Sequence, residues 1–213
     1  KIVENPNNVY TVARDFEQKT LISPAIQAYD LGQKLNESVN FDYQIAMLHG
    51  QQGNIDFMIN SLVDYAYKFP TNVVLVQNSL QRFLTEDHTK VFSEALRKAL
   101  LLRTQKTQDI FWNEFMSWYF VTQKEYGKAF IQEKAIYKRN PDNFDKILSL
   151  ARLASDEKEQ EVEREILEFI LGNTQNTDVI IDVNCSILEM DIEKATTAEY
   201  SIITQKIKGL LQQ

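Results

Sequence analysis

Glycine and proline are scarce, six and four residues in a chain of 213. Tight turns depend on these two residues, so this little punctuation argues against a fold of many short strands. Gln, Glu, Lys, Leu and Ala suit helices instead, and the expectation is an all-α protein. Cysteine occurs once, at Cys185, which excludes an intrachain disulfide and a multi-cysteine zinc site. Cys185 sits in an apolar helical stripe and reads as a small buried hydrophobe. A lack of disulfides fits the cytosol without excluding a periplasm, so the compartment stays open.

Histidine is nearly as rare. His49 and His88 are the only two, and neither has a second histidine at metal-ligand spacing. A Gly-rich phosphate loop, a Ser-containing elbow and a paired-cysteine motif are all missing. A protein that is not an enzyme and carries no cofactor or metal is expected. His49 reads as a packed or half-buried ring, and His88, in "TEDHTK", as a surface residue opening a helix.

Positive charge is in deficit as well, with a formal net charge of −7. That balance opposes nucleic acid and anionic membrane surfaces, which need clustered Lys and Arg. Arg97/Lys98 with Arg103/Lys106, and Lys134 with Lys138/Arg139, fall near helix C-termini, where they complement the helix dipole. No apolar run approaches the roughly 20 residues of a membrane span, and "KIVENPNN" carries no signal peptide. The initiating methionine is also missing, which reads as a processed protein or a segment of a longer one, with any targeting signal removed.

What is present is a 44% hydrophobic chain, enough for one continuous core and too short to require two globular domains. It is also repetitive. A residue inside an apolar run recurs as Ala13, Ala46, Leu80 and Ser117, at intervals of 33, 34 and 37. A second anchor recurs as Ala25, Met58, Phe92 and Ala129 at the same intervals. Pro70, in "KFPTN", and Pro141, in "RNPDN", each follow the second anchor by twelve residues and end a helix, because proline cannot donate an intrahelical bond.

A unit of about 34 residues made of two amphipathic helices resembles the tetratricopeptide repeat. The pattern is matched by Val9, Val12-Ala13, Phe16, Ala25, Tyr29 and Gly32, then by Ile45-Ala46, His49, Met58, Leu62, Tyr65 and Pro70. It continues with Val76, Leu80, Phe83, Phe92, Leu96 and Ala99, then with Met116-Ser117, Phe120, Ala129, Ile136 and Pro141, with Glu133 where an apolar residue is expected. The resemblance covers at least residues 7 to 141. It implies an α-solenoid of antiparallel helix pairs in a right-handed superhelix, one domain over residues 1–213, with pairs at about 7–36, 39–69, 72–104, 108–139, 142–172 and 177–211.

Asn72, Asp109 and Asp142 can cap helices, and Gly172-Asn173 marks a C-terminal stop. "DVIIDVNCSIL" is rich in β-branched residues, yet Val179, Val183, Ser186/Ile187 and Met190 keep a helical spacing, and helix is expected. Pro6 in "VENPNN" sounds like another joint, closing a repeat that lies upstream of Lys1.

The resemblance further implies that first helices line a concave surface and that a protein or peptide segment binds there. On that footing the groove carries Tyr10 and Arg14, Tyr43 and Met47, Gln77 and Gln81, and Glu114 and Trp118, each pair one helical turn apart and so on one face. "IFWNEFMSWYF" is aromatic on nearly all sides, so several of its rings must be core. The run "DEKEQEVEREILE", Asp156 to Glu168, reads as a helix with Val162, Ile166 and Phe169 inward and its acids on a solvated outer face, or else as an acidic docking strip. The expected function is a non-enzymatic scaffold for a protein partner; the alternatives are a spacer in a longer chain, or self-association through terminal helices.

Overall fold

The computed structural model describes residues 8–141, 143–196 and 200–210, with Ile2 and Asn5. Pro6 and Asp142, on which a joint and a cap were expected, lie outside these residues. Among the described residues there are twelve α-helices and no strand. In order they are α1 Val9–Gln18, α2 Ile22–Leu35, α3 Asp42–Gln51, α4 Ile55–Lys68, α5 Val73–Glu86 and α6 Val91–Lys106, then α7 Ile110–Thr122, α8 Tyr126–Arg139, α9 Asp145–Asp156, α10 Gln160–Leu171, α11 Thr177–Lys194 and α12 Tyr200–Leu210. A 3-10 turn, Pro70–Asn72, leads from α4 to α5. The chain divides into two compact units, Lys1–Trp112 and Asn113–Gln213, with the division inside α7.

The protein is all-α, and its helices come as consecutive pairs. In the first unit α1 packs on α2 and α3 on α4, while α2 also meets α3, and α4 meets both α5 and α6. In the second, α9 packs on both α8 and α10, α10 touches α8 and α11, and α11 touches α12. Both repeated anchor series are inside. Ala13, Ala46 and Leu80 are fully buried and Ser117 nearly so, as are Ala25, Met58 and Ala129, with Phe92 almost covered. A repeat recognised by spacing thus corresponds to a repeated packing position.

The reversals inside the first five pairs share one backbone feature, a residue in the left-handed region. Thr20, Gly53, Lys90, Lys124 and Lys158 all have positive φ, at 59°, 82°, 60°, 56° and 63°. They are spaced by 33, 37, 34 and 34 residues. In four of these turns the next residue's N–H reaches back to a helix carbonyl five positions earlier: Leu21 to Phe16, Asn54 to His49, Glu125 to Phe120 and Glu159 to Ala154, at 2.8–2.9 Å. A bond from the left-handed residue to the carbonyl three positions earlier accompanies each one. This pairing satisfies the orphan carbonyls of the helix end. The Lys90 turn is longer, and there the Asp87 carboxylate accepts from the Ser93 N–H at 2.7 Å instead.

Among the described residues, glycine fills one of the five left-handed positions. A side chain there costs about 1–2 kcal/mol, because its Cβ crowds the following carbonyl oxygen. Lys158→Gly is therefore expected to stabilise by about 0.5–1 kcal/mol despite the entropy gained by the unfolded chain. A denaturation midpoint that moves down instead would show that the turn is held differently.

Several local expectations are corrected. Cys185 is exposed, not buried. It follows Val183, which is buried, by two positions and so projects from the far side of α11. Asn72 makes no capping bond; its amide donates to Tyr65 Oη at 2.9 Å. Asp109 does cap, accepting from the Phe111 N–H at 2.9 Å, and Asn176 caps α11 through the Asp178 and Val179 amides. Gly172 ends α10 as expected, in right-handed geometry with φ of −71°, while the Asn173 side-chain amide donates to the Phe169 carbonyl. The helix opened by His88 begins at Val91 instead.

Candidate functional site

Tyr10 and Arg14 are exposed on α1, and the Arg14 guanidinium lies 6.0 Å from the Tyr10 ring centre. On α3, Tyr43 and Met47 are half-buried. Tyr43 is engaged in packing: its ring lies 6.0 Å from that of Tyr65, and its hydroxyl is 2.8 Å from Ser79 Oγ on α5. Ser79 gives its own proton to the Leu75 carbonyl at 2.9 Å, so Tyr43 is the donor in that bond. Gln77 and Gln81 on α5 are half-buried, two residues to either side of Ser79. Tyr43 and the glutamine-bearing helix are therefore brought together, whereas Tyr10 and Arg14 contact each other.

The remaining expected residues belong to the second unit. Glu114 is exposed and forms an ion pair with Lys146 of α9 at 2.7 Å. Trp118 is half-buried and meets Phe115 edge-on at 5.4 Å. Its aromatic segment is mostly core, as expected: Trp112, Phe115, Tyr119 and Phe120 are each no more than 4% exposed.

The His49 ring packs on Phe57 with centres 4.2 Å apart, and its Nδ1 lies 3.2 Å from the Asn54 amide. These are packing contacts. Tyr29 is buried, and burial followed by its 2.7 Å hydrogen bond to Glu17 pushes its hydroxyl well above the usual range. That bond ties α2 to α1. Among the described residues no helix is long and apolar enough to cross a membrane, and no group of three His, Cys, Asp or Glu is placed to hold a metal.

The acidic run is organised in a way its composition does not reveal. Glu157, Glu161 and Glu165 pair with Lys124, Lys194 and Lys134 at 2.5, 3.2 and 2.8 Å, each reaching a neighbouring helix pair. Arg164 bonds Asp191 of α11, which also meets Lys206 of α12. Burial pushes the Asp191 carboxyl up, but the hydrogen bonds from Arg164 and Lys206 prevail and hold it below the ordinary value. Three of the run's seven acids thus stitch neighbouring helices together. A second cation, Arg103, does similar work in the first unit: it holds Asp64 at 2.7 and 2.9 Å and Asn60 at 3.0 Å, joining α6 to α4, and lies 5.6 Å from the Trp112 ring.

A cleft of about 630 Å³ in the second unit was not anticipated. It opens between α9, α10 and α11. The helical stripe from Val179 to Met190 carries its signal in the sequence, but the repeat is faint past Pro141.

Geometry and packing together define an all-α chain of consecutive helix pairs that fits a helical repeat. No protein-family model matches the sequence, and a search of curated proteins also finds no match.

Proposed function

We propose that the chain is a tetratricopeptide-like scaffold, without catalytic activity of its own, that holds a segment of a partner protein against the faces of its helices. The observation carrying this reading is the shared register of the two buried anchor series, because on the first helices it leaves polar, aromatic and thioether side chains, three residues before and one after each anchor, uncovered or half-covered. Such mixed groups supply an anchor for an apolar side chain and donors and acceptors for a peptide backbone. Tyr43, Met47, Gln77 and Gln81 of the first unit form the proposed patch, with Tyr10 and Arg14 on α1 as a flanking pair.

Panning a random twelve-residue display library on the full chain tests it. Peptides that bind should lose about 30-fold or more in affinity with Tyr43→Ala/Met47→Ala, as expected where aromatic anchors dominate. Met47→Ala/Gln77→Ala spares the Tyr43–Ser79 bond and separates binding from packing. The comparison is Arg97→Ala/Lys98→Ala, two exposed residues of α6. A library that enriches nothing overturns the scaffold reading and favours a spacer. A self-associating role has one observation behind it, the exposed Tyr200, Ile202 and Ile207 of α12, and light scattering addresses it.

A further inference from the structure

The cleft in the second unit has three walls from three helices. Leu148, Ala151 and Arg152 of α9 face it at helical spacing, α10 contributes Glu163 and Leu167, and α11 runs along it from Val179 to Glu193. That stripe of α11 is roughly 21 Å long at 1.5 Å per residue, enough for four turns of helix or six extended residues. The floor is apolar: Ala151, Leu167, Val183 and Met190 are each no more than 5% exposed.

Charge is distributed unevenly between this cleft and the surfaces around it. Glu157, Glu161, Glu165 and Asp191, which do not line the cleft, all carry an internal cation. Those that do line it, Asp156, Glu163, Asp182 and Glu189, have no ion pair among the described residues, and Glu193 accepts only a 3.4 Å bond from the Gln160 amide. The cations at the rim are Arg152 and Lys158, leaving the cleft net acidic. They lie on α9 and the turn after it, so the α11 wall is acidic along its whole length. Neighbouring carboxylates left uncompensated repel one another, and a basic ligand removes that repulsion.

We infer that this cleft docks a segment of another protein carrying large apolar side chains on one face and Lys or Arg beside them, the basic side turned toward α11. The inference rests on the scaffold reading and adds to it a second surface and the chemistry of what binds there. The apolar side chains bury against Leu167, Val183 and Met190, giving affinity. The cations meet Asp182, Glu189 and Glu193, giving orientation and a salt-sensitive rate of association.

The experiment uses the full chain and two synthetic twelve-residue amphipathic peptides with the same leucine face, one with lysines on the other face and one with glutamates. Fluorescence anisotropy at about 150 mM salt gives each Kd. Asp182→Lys/Glu189→Lys should weaken the lysine peptide by about 30-fold or more and allow the glutamate peptide to bind. Glu86→Lys/Glu168→Lys makes the same change in charge at exposed positions outside the cleft, and should alter either Kd by less than about threefold. Circular dichroism establishes that both variants keep their helices. Equal weakening by the two variants would mean attraction to net charge alone and overturns the inference, as does a lysine peptide that fails to bind the wild type. If library peptides bind the chain while the lysine peptide does not, this inference fails and the scaffold reading stands; if none binds, both fail.

Discussion

Phe130→Ala is expected to lower stability by about 3–5 kcal/mol, the largest single effect foreseen here. Phe130 is fully buried on α8, and its ring meets Phe169 of α10 edge-on at 5.5 Å. One turn along, Lys134 Nζ lies 4.3 Å from the same ring centre while it pairs with Glu165 of α10. Truncation removes apolar burial, leaves a cavity between two helices of successive pairs, and takes the aromatic face from a cation. The neighbouring residue supplies the comparison. Ile131 is 57% exposed, so Ile131→Ala should move the denaturation midpoint by only tenths of a kcal/mol. Similar losses for the two would mean that α8 presents a different face to the core.

The second large effect runs against helix propensity. Gly32 lies inside α2, where alanine would ordinarily add about 1 kcal/mol of stability. A Cβ at that position would stand 2.5 and 2.6 Å from the two γ carbons of Val9, well inside contact distance. Valine is stiff at χ1 and Val9 is itself buried, so neither side can turn away. Gly32→Ala is expected to destabilise by about 1–3 kcal/mol in equilibrium unfolding. Val9→Ala in the same chain should return part of that loss, a coupling that a double-mutant cycle measures directly. A stabilised Gly32→Ala would mean that α1 and α2 do not approach this closely.

The sequence made the helices and their pairing legible because apolar spacing is imposed by burial, and burial repeats with the pair. Ala13, Ala46 and Leu80 align for that reason, and Val9 and Gly32, which approach closely in the structure, are both positions of the repeat pattern. The left-handed turns were only partly visible. Gly53 signals its turn, whereas Thr20, Lys90, Lys124 and Lys158 hold the same backbone conformation with residues that carry no such preference. Glu133 is an instructive middle case: it fills an apolar position of the repeat and is buried there, only 8% exposed. The candidate site was harder to read. Spacing places Tyr43 on a face, but whether that face meets solvent or Ser79 depends on how α3 and α5 pack. The acidic run likewise divides into paired and unpaired carboxylates only once Lys124, Lys134 and Lys194 are located.

The helices pack chiefly on elements one or two places away in the chain, as α6 does on α4 and α10 on α8, α9 and α11. Few long loops must then close before contacts form, so little chain entropy is lost ahead of the gain. Local contacts of this kind speed folding relative to long-range strand pairing. An early pair such as α1 with α2 has its main packing partner close in sequence and can assemble while the ribosome is still adding the later ones.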